Sequence, residues 1–479
     1  MLFNSLEFLV FFPIVVALYF ALPHRFRWIM LLIASYYFYM CWNYKLVLLI
    51  ATTTTVNYLA GLGIGSNTNK NSKRLYLIAG LVTSLGILFF YKYFNFFGNS
   101  LNSLFRVFNI FYEVPFYQIL LPVGISFYTF QTLSYTIDVY FGRQKVERHF
   151  GIFALYVSFF PQLVAGPIER STNLLPQFFE KHEFNYAAVK QGILTAAWGF
   201  FKKVVIADRL SEYVNMVYGD VTNYGSAALA IATIFFTVQI YCDFSGYSDI
   251  ALGTARIMGF RLMKNFNRPY FAGNIREFWQ RWHISLSTWF RDYFYIPLGG
   301  NRVKKSRWYF NLFFTFLVSG LWHGANWTFI VWGALHGFYQ VFATVTLQTR
   351  KKINEAIGIS RFAGFNRFMN ILITLALVVF AWIFFRANTI DDAFTVISRL
   401  FRFIPDKTTN LFYFPADFLV SLILIAFLFI IEFLEERYNL WNRLQHIHFV
   451  LKWAFFIGIL LCIFILGKWE DIDFLYFQF

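Results

Sequence analysis

The chain has 479 residues, 58% hydrophobic and only 14% charged, with a mean hydropathy of +0.53. A soluble domain carries about 25% charged residues, and a chain this apolar would leave large greasy patches in water. This excludes a water-soluble globular protein and makes the lipid bilayer the natural solvent. The net charge of +16 fits cytoplasmic loops of a membrane protein, where Lys and Arg gather, and does not point to nucleic acid.

In chain order, Met1–Leu22 lacks a basic n-region and a small-residue cleavage site, so it reads as a retained first helix rather than a signal peptide. Spans of bilayer length follow at about 28–42, 46–64 and 75–90. Loops carrying Arg25/Arg27 and Lys70/Lys73/Arg74 alternate with the charge-poor Asn43–Lys45, which places the basic loops in the cytoplasm and the N-terminus outside. Two later stretches, LLPVGISFYTFQTLSYTIDVYFG and FFPQLVAGPIER, mix helix breakers with polar residues. At membrane depth such segments survive only inside protein or along a water-filled cavity. They read as cavity-lining or re-entrant helices, with ordinary proline-kinked spans as the alternative.

Lys202, Lys203, Asp208 and Arg209 interrupt the apolar stretch GILTAAWGFFKKVVIADRL, as on a tilted helix whose charges snorkel to an interface. The next span contains YCDFSGYSDIALG, with Asp243 and Tyr247 on one helical face and Asp249 on another. These carboxylates read either as members of a buried polar network or as substrate contacts. Residues 261–308 form the most basic part, interleaved with aromatics as suits helices at a cytoplasmic interface. Further spans bring the count to ten to twelve crossings. The whole reads as an all-α, polytopic membrane protein, one domain over residues 1–479 with a motif-bearing core at about 116–345. The cysteines, Cys41, Cys242 and Cys462, show no metal-ligand spacing and read as packing residues. The terminal LYFQF reads as a tail that packs on the bundle or meets a partner.

Three of the eight histidines, His283, His323 and His336, fall between Arg276 and His336. An ionisable group inside a membrane span is a functional-site candidate. A neutral imidazole can take a proton from a hydroxyl and return it to a leaving group, as acyl transfer requires. His323, in LWHGANW, reads either as such a base or as a structural histidine packed in the bundle. Asn326, three positions on, shares its face if the helix continues, and could orient the ring or donate to an oxyanion. His336 lies about 20 Å further along a continuous helix at roughly 1.5 Å per residue, so it is a partner only if the chain folds back. His283, in the basic region, reads as the donor end of a tunnel or as a helix cap. The sequence contains no nucleophile elbow, P-loop or zinc spacing.

The motifs RWHISLSTWFRDYFYIPLGGNR (281–302) and GLWHGANWTFIVWGALHG (320–337), preceded by PQLVAGPIER (161–170) and YCDFSGYSDIALG (241–253), resemble the membrane-bound O-acyltransferase superfamily. The resemblance is closest to the bacterial branch that O-acetylates alginate and peptidoglycan, and it covers nearly the whole chain. It implies a helical bundle around a funnel that runs from the cytoplasm to a central histidine. By motif match His323 is the catalytic histidine and His283 the second, with Trp322, Asn326, His336, Asp243, Asp249 and Trp282 supporting or lining the tunnel. Arg281 and Arg291 would meet the phosphates of a CoA donor, since guanidinium binds phosphate through paired hydrogen bonds. No bound cofactor or metal is implied; acetyl-CoA is the expected acyl donor. The implied partners are the bilayer and an extracytoplasmic acetyltransferase of the SGNH type or a polysaccharide acceptor. The implied location is the bacterial cytoplasmic membrane. Two alternatives stand beside this reading. One is a teichoic-acid D-alanyl transferase fed by an acyl carrier protein; the other is a glycan exporter without acyl transfer.

Overall fold

Short polar side chains open many of the helices. Ser5, Asn274 and Asn326 each accept a backbone N–H from the first turn that follows, and Thr389 forms a reciprocal capping box with Asp392. The result, in a computed structural model that describes residues 1–358, 361–406, 415–441, 443, 448–469 and 474–475, is a helical protein without strands among the described residues. Among them, seven helices are long and apolar enough to cross a membrane: Tyr44–Ser66, Lys70–Val107, Ser226–Ile257, Trp327–Val345, Ala363–Arg386, Pro415–Tyr438 and Phe449–Leu466. Other stretches counted as crossings in the sequence are shorter, such as Leu6–Ala21 with 16 residues and His24–Met40 with 17. Of the LYFQF tail only Leu475 lies within the described residues.

The contacts divide the chain into two compact units. The first comprises residues 1–196 and 250–263, the second residues 197–249 and 264–475. In the first unit, the interrupted LLPVGISFYTFQ stretch becomes a 16-residue helix, Ile125–Tyr140, started by Gly124 at φ 73. Its polar residues are buried in protein: Gln131 donates to the Tyr156 carbonyl, and Thr136 donates to Asn57, which itself donates to Ser84. The PQLVAGPIER stretch is likewise broken, with short helices at Phe160–Leu163 and Ser171–Leu174. Buried Glu169 between them accepts the Met263 N–H and the Asn173 amide. Arg27, from the first basic loop, is buried, donates to the Leu22 and His182 carbonyls and lies over the Tyr19 ring.

In the second unit, helices Lys305–His323 and Trp327–Val345 form a tight antiparallel hairpin. A Cβ placed on Gly333 would stand 2.5 Å from the Phe316 carbonyl oxygen, and one on Gly320 2.3 Å from the Phe329 carbonyl oxygen. The backbones therefore touch, and any side chain at either glycine must push them apart. Gly333→Val is expected to destabilise by about 1–3 kcal/mol, the usual cost of overpacking, with a lowered midpoint of thermal unfolding in detergent. An unchanged midpoint would show that the hairpin is loosely packed.

Candidate active site

The hairpin determines where His323 sits. The first helix stops at His323 because Gly324 turns to φ −163 and ψ 153, and the ring of Phe329 occupies the space where a residue-324 side chain would go. His323 is 2% exposed. The rings of Trp322, Trp332 and Phe385 stand around it at centroid distances of 5.0, 4.9 and 5.4 Å. An imidazole in such a dry, aromatic setting feels electrostatic interactions far more strongly than one in water.

Two expectations built on an unbroken helix are corrected here. Asn326 does not share a helical face with His323. It caps the next helix, accepting the Thr328 N–H at 3.0 Å and donating to the Asn388 carbonyl at 2.9 Å. His336 is not remote, because the chain folds back. Its ring lies 4.8 Å from Trp332, the same indole that packs on His323. Trp279 Nε1–H donates to His336 Nδ1 at 3.3 Å. An indole can only donate, so His336 carries its own proton on Nε2, a buried position with no partner among the described residues.

His283 precedes helix Ile284–Phe290 with φ 42 and ψ 55, and its side chain does not cap that helix. A non-glycine residue in this left-handed region costs roughly 1–2 kcal/mol. Two backbone bonds hold it there: Ile284 N–H donates to the Asn265 carbonyl and Asn267 N–H to the Arg281 carbonyl, both at 2.8 Å. Although His283 belongs to the basic stretch, its ring is completely buried, edge-on to Phe244 at 4.6 Å and 6.1 Å from Trp322. Trp322 thus stands beside both His283 and His323. Trp282, fully buried, continues the aromatic wall by packing on Trp382 at 5.1 Å, and Trp382 stacks on Trp332 at 5.8 Å.

The charged candidates divide by burial. Asp249 pairs with Lys202 at 2.7 Å, while Asp243 and Asp208 pair with Lys203 at 2.6 and 2.7 Å. Asp243 also accepts the Leu475 N–H at 2.9 Å. Lys202 and Lys203 do not snorkel. Both are 3% exposed, in a π-helical turn over Phe201–Ala207 that faces the Asp-bearing helix within the same unit. Asp243 thus sits inside a buried ionic group, whereas Asp249, with 28% of its side chain exposed, pairs at the edge of the protein interior. Arg281, expected at the donor, is held by Glu277 at 2.7 Å and Glu436 at 2.9 Å, so its charge is already compensated. Arg291 pairs with its neighbour Asp292 and keeps 58% of its side chain in the open. Arg302, Lys304, Lys305 and Arg307 are exposed beyond it.

Sequence reasoning singled out neither Asn265 nor the indoles Trp279, Trp332 and Trp382. For Trp332 a signal was present, since it lies four residues before His336 and therefore on the same helical face. Asn265 lies 18 residues before His283, and no local pattern marks it.

Comparison with known proteins bears on the chemistry. The family model described as "MBOAT, membrane-bound O-acyltransferase family" matches residues 149–385. The chain is 42% identical over 408 residues to "Probable alginate O-acetylase AlgI" of Pseudomonas aeruginosa, covering 84% of this chain and 75% of that protein. It is 36% identical over 396 residues to the peptidoglycan O-acetyltransferase of Helicobacter pylori, covering 77% and 73%. It is 29% identical over 233 residues to the teichoic acid D-alanyltransferase of Bacillus subtilis, covering 46% and 58%. With such identity over three quarters of a relative, the chain belongs to the membrane-bound O-acyltransferase family, and it is a multi-pass membrane enzyme.

Proposed function

We propose that this O-acyltransferase moves an acetyl group from acetyl-CoA on the cytoplasmic side to a hydroxyl of a cell-surface or exported polysaccharide, directly or through an extracytoplasmic SGNH-type acetyltransferase. The observation that carries the reading is the convergence of His283 and His323 on the ring of Trp322 inside one water-poor aromatic wall. Two imidazoles so placed can serve a single reacting centre from two sides. His323 takes the proton of the attacking hydroxyl as its oxygen bonds to the thioester carbonyl carbon. The carbon–sulfur bond then breaks, and the proton passes to the departing sulfur, so that ester and free thiol are the products. His283 meets the donor end. The exposed cations at Arg291, Arg302 and Lys304 suit the phosphates of CoA; Arg281, already neutralised, organises the charge cluster beside them. The membrane is the cytoplasmic membrane of a bacterium, where an internal donor and an external acceptor meet.

The acetylase reading is preferred to D-alanylation because the relatives named as acetylases align over most of this chain, and the D-alanyltransferase over less than half. Ester analysis of surface polysaccharide decides between them. Cells producing the chain should show base-labile acetate that cells lacking it do not. Base-labile D-alanine in its place would favour the carrier-fed alternative. No ester difference at all would favour a glycan exporter.

A further inference from the structure

A second polar network, outside the charged clusters, surrounds His283. Asn265 is 1% exposed, and its side-chain oxygen faces three groups. Ser285 N–H donates to Oδ1 at 3.2 Å, Ser285 Oγ donates to it at 2.9 Å, and His283 Nδ1 lies 3.1 Å from it. On the other side, Asn265 Nδ2 donates to Ser248 Oγ at 3.3 Å. The backbone N–H of Ser285 is obligatorily a donor, so the amide atom it meets is the oxygen, and the same atom faces His283. That oxygen has no proton to give, so His283 Nδ1 can pair with it only by donating its own.

We propose that Asn265 is a positioning residue for acyl transfer: it fixes His283 in the tautomer protonated on Nδ1, leaving Nε2 as the nitrogen that accepts a proton or hydrogen bond from the reacting groups. The inference rests on the reading that His283 works in the transfer, and it adds which nitrogen works and what holds it. The backbone supports the same arrangement. Asn265 carbonyl accepts the Ile284 N–H at 2.8 Å, so main chain and side chain of one residue together hold the two residues that follow His283. The left-handed backbone of His283, costly by itself, is thereby over-determined. Phe244, edge-on at 4.6 Å, and Phe266, nearly parallel to the imidazole at 22°, limit ring rotation from the sides. The arrangement also separates the roles of the histidines. His336 accepts a hydrogen bond at Nδ1 from Trp279 and presents N–H at Nε2, whereas His283 donates a hydrogen bond from Nδ1 and presents a lone pair at Nε2.

The test uses the full chain in lipid, labelled with 15N-histidine, with the difference spectrum against His283→Gln isolating the His283 ring. Wild-type protein should show a protonated Nδ1 and an unprotonated Nε2. A protonated Nε2 in the neutral ring would overturn the proposal whatever the protein acylates. Acetylation of surface polysaccharide per unit of membrane-inserted protein gives the second measure. Asn265→Asp keeps an oxygen for Nδ1–H and lets Ser248 turn donor, and should retain at least a tenth of wild-type transfer. Asn265→Leu, similar in shape but without an acceptor, should lose a hundredfold or more. Equal loss in both variants would mark Asn265 as structural only. Wild-type transfer by His283→Gln would instead sink the reading of His283 and leave the tautomer to the spectrum.

Discussion

Replacing His323 by Ala or Gln should lower acyl transfer by about two to four orders of magnitude, the range a positioned general base contributes, with the protein still present in the membrane. The side chain lies at a helix end where Gly324 has already broken the backbone. Its neighbours are rings, and Gln can fill part of the space that Ala leaves. A loss of activity shared by Ala and Gln at undiminished protein level assigns the effect to chemistry. Quantifying acetate released by mild base from surface polysaccharide checks it. Retention of more than a tenth of the wild-type level in either variant would remove His323 from the proton-transfer role.

The largest stability effect is expected at Lys203. Its ammonium lies between Asp208 and Asp243, and all three side chains are almost fully buried. Lys203→Met leaves two carboxylates facing each other without a cation, in surroundings that solvate them poorly. Removing one partner of a buried pair typically costs about 3–5 kcal/mol, and here the second carboxylate adds repulsion. The thermal midpoint of the detergent-solubilised protein should fall sharply, or the variant should fail to accumulate. Combining Lys203→Met with Asp208→Asn and Asp243→Asn removes the charges together and should restore much of the stability, because replacing a whole buried ionic group is often close to neutral. A midpoint for Lys203→Met equal to that of wild type would mean that water reaches this cluster.

The sequence made legible those features that depend on local pattern. Apolar runs such as 46–64, and the breakers beside polar residues around Gly124, retain their meaning in the structure. What it hid were matters of chain reversal and of pairing between distant segments. Nothing in the apolar run through WHGANWTF declares that Gly324 ends one helix and Asn326 begins another, yet that turn brings His336 to the indole that packs on His323. Lys202 and Lys203 looked like interfacial charges because snorkelling is the usual fate of lysine near a membrane. Their burial depends on Asp208, Asp243 and Asp249 standing opposite, and the last two lie on another helix. Arg281 looked available to phosphate for a similar reason: Glu277 is local, but its second partner, Glu436, is 155 residues away. Asn265 was invisible because an asparagine before a proline-containing loop is ordinary, and only the folded chain sets it against His283.

The central claim is that acetyl transfer runs through His323, within reach of a donor on the basic face. It is tested most directly with purified wild-type and His323→Ala protein in lipid vesicles, supplied on the Arg291 side with acetyl-CoA labelled in the acetyl group and with the polysaccharide as acceptor. Wild type should leave labelled, base-labile ester on the polysaccharide, and the variant at least a hundredfold less. Equal labelling by the two proteins would contradict the claim.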